Sequence, residues 1–488
     1  MSMLYSLLSF LPILLLFSIS LWKGVRPGVY AAFLFTTGLF FLWGKNALAF
    51  LASVFSALIG TINILMIIFG AVFLYQIMEQ KGYIKGIKES LSEIHPDKKF
   101  RFFFLAFFLT AFFESVAGFG TPLAIVPILL MSIGFSPMLS ISVVLLIDGL
   151  FSLAGAVGTP VHAGLEIPLH LTPESVSAIY LFSTILIFFA GLVIVFFIAR
   201  FVKEDTRSVR SQLKTALTLY TIVMVPFVLC SFYLRELAGL VASIVLAAVS
   251  YLFLFKNKKV LWKPWLPYWV LVLLLLIPKV FSEFESVAMS YKLQFSSIYG
   301  TDVSASLQPF KSPLIPFLIT SLFALYHSKS FTINLKPVIS KTYTVFLILF
   351  PSLAITQLMM NSGGELPSMI EMLSGFFVKS GDAYPILSPF IGVLGTFISG
   401  STTVSNILFG AVQQTSAIQL GFPETILLAL QLTGASLGNA VCLFNIIAAA
   451  AVTGSSDYGQ VLKRNILPIL LAAFVCSLIG YGMIYIFY

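Results

Sequence analysis

FESVAGFGTPLAIVPILLMSIGFSP, residues 113–137, sets a glutamate, two glycines and a proline at the head of a largely apolar run. A second stretch, FISGSTTVSNILFGAVQQTSAIQLGFP at 397–423, is built on the same plan. Each opens on Phe-x-Ser, passes through a small, polar, glycine-containing break, and resumes as a longer run. Each closes on Gly-Phe just before a proline, at Gly134-Phe135 and at Gly421-Phe422. A glycine-rich segment follows both, DGLFSLAGAVGTP at 148–160 and TGASLGNAVCLFN at 433–445. Interrupted hydrophobic segments at matching positions in two halves point to a repeat-built membrane transporter and to its substrate site. The expected fold is therefore an all-α polytopic membrane protein in two repeats, 1–232 and 233–488, forming one integrated transmembrane domain. Each repeat carries a broken helix or re-entrant hairpin.

The rest of the chain agrees with a membrane setting. Of 488 residues, 59% are hydrophobic and 10% charged, whereas an ordinary soluble chain carries about a quarter charged residues. Such a composition cannot cover a soluble domain of this size with polar surface. The 28 Lys and Arg against 19 Asp and Glu raise nucleic acid as a partner. These residues are scattered through short loops between apolar runs, with no basic domain, which excludes that reading. Membrane lipid is the expected surroundings. Cys230, Cys442 and Cys476 sit in or beside apolar segments without metal-ligand spacing, so neither a disulfide framework nor a zinc site is expected.

A crossing needs about 20 apolar residues, and the apolar segments imply about twelve to fourteen crossings. The pairs 102–117/121–134 and 385–400/404–418 are too short or too broken to cross singly. The apolar stretch Ser9 to Trp22, with Lys23 and Arg26 directly after it, reads as a retained first membrane helix rather than a cleaved signal.

Loop charges give an orientation. With the N-terminus outside, Lys23, Arg26, Lys81, Lys85, Lys88, Lys98, Lys99 and Arg101 all fall inside. So do Lys203, Arg207, Arg210, Lys214, Lys256, Lys258, Lys259 and Lys263, then Lys329, Lys336, Lys341, Lys463 and Arg464. The outside stretch 159–175 has no Lys or Arg, and 361–384 has only Lys379. Both termini are expected outside, and the two broken segments are then entered from opposite sides.

The breaks suit an anion. Backbone that leaves a helix within hydrocarbon persists only where it lines a cavity, and Gly118, Gly120 and Pro122 interrupt one segment as Gly400 to Thr403 interrupt the other. A helix that restarts there offers free N–H groups and partial positive charge to a carboxylate. Ser115, Thr121, Ser399, Ser401, Thr402, Thr403, Ser405 and Asn406 add neutral hydrogen bonds, so binding needs no fixed positive charge nearby. Glu114 and Asp148 are carboxyls inside apolar segments, where an ionisable group is a functional candidate by default. They are the expected proton-coupling residues. His162, Glu166 and His170 read as solvated loop residues, since Pro160 and Pro168 argue against one ligand-bearing helix; His95 and His327 have no evident partner. No metal site is expected. No phosphate-binding loop, dinucleotide fingerprint or hydrolase motif occurs in a plausible context, so neither a cofactor nor an enzymatic activity is expected.

These residues also resemble a known family. FFESVAGFGTPLAI, followed by GFSP and AGAVGTP, resembles the first signature region of the lactate permease family. SGSTTVSNILFGAVQQ resembles the second, and GASLGNAVCLFNIIAAAA the third, with IFGAVFLYQIMEQKG lying upstream of all three. The resemblance implies import of L-lactate, with D-lactate or glycolate, by proton symport across a bacterial or archaeal cytoplasmic membrane. It places Glu114, Gly118, Gly120 and Pro122 in the first signature and Ser399, Gly400, Ser401, Ser405 and Asn406 in the second. Some members carry Asn where this chain has Asp148 and Lys where it has Asn439, and some are longer. Asn439 joins the expected substrate contacts, with helix ends and hydroxyls replacing the lysine. Sodium coupling and a passive anion channel stay open as alternatives. A membrane-embedded enzyme lacks a nucleophile–base pair or metal constellation.

Overall fold

A computed structural model of the chain describes residues 2–91, 94–118, 120–202, 209–256, 262–280, 291–307, 309–310, 314–455 and 458–487. Lys203, Arg207, Lys258 and Lys259, assigned above to inside loops, lie outside the described residues. Apolar runs of this length become helices because hydrocarbon offers no partner for backbone N–H and C=O groups, which a helix satisfies internally. Among the described residues, eight helical stretches are long and apolar enough to cross a membrane, and shorter apolar helices accompany them, among them Arg26–Leu42, Thr121–Ser132 and Leu314–His327. The chain is an all-α, multi-pass membrane protein.

One long stretch is folded back on itself. Arg210–Leu254 spans 45 residues; a straight helix of that length would be roughly 67 Å long, about twice the hydrocarbon thickness of a bilayer. The chain instead turns at Arg235, whose φ is +46°, and Val209–Leu234 packs against Ala238–Val249.

The centre is helical and apolar all round. Every residue from Phe102 to Val116, from Leu139 to Phe151 and from Ile426 to Gly438 is buried, as expected of helices enclosed by other helices. Pro137–Phe151 packs on both Lys98–Val116 and Glu424–Gly438, and Glu424–Gly438 packs on Tyr384–Ser399 and Thr402–Leu420. Two central helices, packed against each other, therefore tie the two broken segments together. Small residues permit the closest crossing: a Cβ on Gly434 would overlap the Pro389 backbone, the close approach that glycine gives membrane helices. At the periphery, Leu229, Phe253 and Ile486 are largely exposed, facing where lipid would lie.

The two broken segments follow one order of elements. Lys98–Val116 ends at Gly118 (φ +52°) and Gly120 (φ +78°), then Thr121–Ser132 runs to Gly134 (φ +89°) and Pro137–Phe151 follows. Tyr384–Ser399 ends at Gly400 (φ +74°), then Thr402–Leu420 runs to Gly421 (φ +71°) and Glu424–Gly438 follows. At Gly118 a side chain is barred twice, by the left-handed backbone and by Ala156, whose Cβ would lie 2.9 Å from an added one.

A two-stranded antiparallel hairpin, Leu293–Phe295 with Ala305–Leu307, lies on the helix Ala47–Gln80. Asn63 donates to the Ser306 carbonyl at 2.8 Å and Ser56 to the Ser304 carbonyl at 3.2 Å, fixing it there.

Candidate functional site

The two breaks meet at one cavity of about 590 Å³. Glu114, Gly118 and Gly120 line it from the first broken segment, and Ser399, Gly400, Ser401, Thr402 and Thr403 from the second. Asp148 and Asn439 line it from the segments that follow. Residues some 285 positions apart in sequence are brought together because Pro137–Phe151 lies against Glu424–Gly438: the Ser152 and Ser436 hydroxyls are 2.8 Å apart, and the Ser152 and Thr402 hydroxyls 3.3 Å.

Glu114 and Asp148 are buried and face one another. Asp148 Oδ2 accepts from Asn439 Nδ2 at 3.5 Å, and Asn445 Nδ2 donates to Asn439 Oδ1 at 3.3 Å. Asp148 Oδ1 has no hydrogen-bond partner among the described residues. The two positions that depart from the resembling pattern, Asp148 and Asn439, are thus in contact. Gly155 closes over Glu114, since a Cβ there would overlap Glu114 Oε1. Beside it the backbone is left-handed for three residues, Ala156 (φ +44°), Val157 (φ +52°) and Gly158 (φ +76°). For a β-branched residue such as Val157 this conformation is a true outlier, and strain of this kind gathers at functional sites.

Helix ends supply the other polarity. Ser401 caps Thr402–Leu420 by accepting from Val404 N at 3.4 Å, and the first-turn N–H groups of any helix lack intrahelical partners. Leu443–Thr453 starts at the same cavity, with Phe444 and Asn445 on the lining and no side-chain cap.

Four expected residues fall outside the lining. Ser115 packs toward Gly239, and Thr121 is buried with its N–H donating to the Gly118 carbonyl. Ser405 donates to the Gly392 carbonyl at 3.0 Å, and Asn406 to the Pro160 carbonyl at 3.0 Å. These contacts hold the surrounding helices together.

Two residues on the lining were read in the sequence only as loop charges. Arg26 and Lys341 both face the cavity, so two basic side chains stand where the sequence reading expected no fixed positive charge nearby. Lys341 lies on the helix Lys336–Met360, and Lys341, Thr344, Val345, Ile348 and Leu349 all line the cavity. That spacing is one face of a helix, a stripe the sequence already holds.

His162, Glu166 and His170 lie elsewhere, around a second cavity of about 290 Å³. Rather than standing free in a loop, His162 Nδ1 and Glu166 Oε2 are 2.7 Å apart, brought together by a single π-helical turn, His162–Glu166. Among the described residues no group of His, Cys, Asp and Glu side chains is arranged to hold a metal ion.

Comparison with known proteins places this architecture. The chain is 27% identical over 539 aligned positions, covering all of both proteins, to a Haemophilus influenzae protein carrying the provisional name L-lactate permease. It is 26% identical to the L-lactate permease of Escherichia coli over 84% of this chain and 82% of that one. It is 23% identical to the glycolate permease of the same species over 90% and 88%. The profile of one family, described as L-lactate permease, matches residues 5–265 and again 261–487. With matches that run nearly from end to end and take in both breaks, the chain belongs to the L-lactate permease family.

Proposed function

We propose that this protein is a secondary transporter, not an enzyme, that imports L-lactate and related 2-hydroxy monocarboxylates, D-lactate and glycolate among them, by proton symport. The observation that carries this reading is the facing pair Glu114 and Asp148 in a cavity assembled from both broken segments. Like charges in contact in a poorly solvated pocket repel strongly, so one proton shared between the two carboxyls removes a large electrostatic cost. A proton from outside forms an O–H bond on one carboxyl; that bond breaks again when the cavity opens inward. The substrate carboxylate is met by the N-termini at Thr402 and Leu443 and by Lys341 and Arg26. Ser399, Ser401, Thr402, Thr403 and Asn439 are placed to bond its hydroxyl and carboxylate oxygens. Relatives named as L-lactate and glycolate permeases support the substrate class.

In this reading residues 1–232 and 233–488 are repeats of opposite orientation, alternating access moves one against the other, and the protein sits in a bacterial or archaeal cytoplasmic membrane with both termini outside. Uptake of labelled L-lactate into proteoliposomes tests it. Saturable uptake stimulated by an inward proton gradient is expected. Stimulation by a sodium gradient alone, or flux that neither saturates nor accumulates, would overturn proton symport.

A further inference from the structure

The second cavity and the first lie along the same two helices. On Ala47–Gln80, Ala57 and Gly60 line the second cavity and Ile64 and Ile68 the first. On Lys336–Met360, Leu353 and Gln357 line the second and Val345 and Leu349 the first. Each step, Gly60 to Ile64 and Leu349 to Leu353, is four residues, about one helical turn or ~6 Å. The third wall behaves the same way: Thr159 and Pro160 line the first cavity, His162 and Glu166 the second.

The barrier is therefore a single layer. At its centre Leu353 is 2% exposed, and a Cβ added to Gly60 would lie 3.6 Å from Leu353 Cδ1. The second cavity is polar, with Ser56, Gln357 and the His162–Glu166 pair on its walls and Ser304 and Ser306 of the hairpin over it. Side chains of this kind inside a membrane protein mark a watered path. Loop charges assign the same side to every one of these elements: 56–60, 162–171, 304–306 and 353–357 all lie toward outside ends, while Arg26 and Lys341 at the first cavity lie toward inside ends.

We propose that the second cavity is the external half of the permeation path, a chamber for a hydrated small carboxylate, and that Leu353 against Gly60 is the partition separating it from the central cavity. The segment beside the partition is built to move. Left-handed residues 156–158 precede it, and the π-helical turn follows; such turns often mark functional sites. Asn406, bonded to the Pro160 carbonyl, and Gly164, packed on Asn406 Cβ, tie it to the helix that restarts after the second break. A shift of that helix reaches the partition directly. The inference rests on the transporter reading and adds the outer route to it.

Single cysteines at Gln357 and at Thr344 of the central cavity, in full-length protein in oriented proteoliposomes, test it with a charged, membrane-impermeant methanethiosulfonate; labelling of the unmodified chain is the blank. Gln357→Cys should react from the outside and Thr344→Cys from the inside. Adding Leu353→Ala to Thr344→Cys should raise its reaction from the outside about tenfold, as a shifted open population would. Gly60→Ala, whose added Cβ meets Leu353 at ordinary contact distance, should lower it, and serves alone where Leu353→Ala fails to fold. Gln357→Cys reacting only from the inside, or Thr344→Cys unchanged by the partition variants in folded protein, would overturn the proposal. Labelling reads the path without reference to lactate, so an unmodified protein that transports no carboxylate would sink the transport reading separately.

Discussion

Glu114 touches the cavity, the Asp148 carboxyl and the bare α-carbon of Gly155 at once. If it carries the proton, Glu114→Gln removes the exchangeable group while keeping the shape. Proton-driven accumulation of lactate should be lost, while lactate:lactate counterflow, which needs no net proton movement, is retained to a larger degree. Equal loss of both in a folded variant would make Glu114 a binding or structural residue. In the proposed transport, Lys341 supplies charge to substrate binding. Lys341→Gln should raise the half-saturating lactate concentration about tenfold, or ~1.4 kcal/mol, with a smaller change in maximal rate; concentration-dependent uptake measures both. The two carboxyls were legible in the sequence because a charge amid apolar residues has no ordinary explanation. Arg26 and Lys341 were not, because basic residues near the ends of apolar runs are what orientation alone would place there. Only the helical stripe from Lys341 to Leu349 distinguishes a cavity charge from a loop charge, and loop counting passes over it.

At the scale of elements, glycine and proline punctuation told most of the story. The helices 98–116 and 121–132, and 384–399 and 402–420, lie within a few residues of the paired apolar runs the sequence offers, because Gly118, Gly120 and Gly400 hold backbone that other residues resist. The left-handed Ala156 and Val157 carry no such mark: Gly118 and Glu114 pack against this segment, a tertiary setting that the local sequence does not record. The His162–Glu166 turn was hidden likewise, since prolines on both sides suggested a loop. The cap at the second break makes its own prediction. Ser401→Ala removes the acceptor for Val404 N and should destabilise the protein by about 1 kcal/mol. Thermal unfolding in detergent should show a lower midpoint, and an unchanged midpoint would mean the cap is dispensable.

Across the whole molecule, composition announced a membrane protein and loop charges offered an orientation, but neither could say which helix ends share a cavity. That depends on Pro137–Phe151 lying against Glu424–Gly438 and on the hairpin at 293–307 lying on the helix Ala47–Gln80, contacts between residues hundreds of positions apart. In the proposed cycle one proton enters with each carboxylate through a cavity built from both breaks. The direct measurement is internal pH in proteoliposomes holding a trapped pH dye when L-lactate is added outside at equal starting pH. Saturable acidification beyond that of protein-free liposomes, lost in Glu114→Gln, is the predicted result. Labelled lactate entering without acidification above that background would contradict the account.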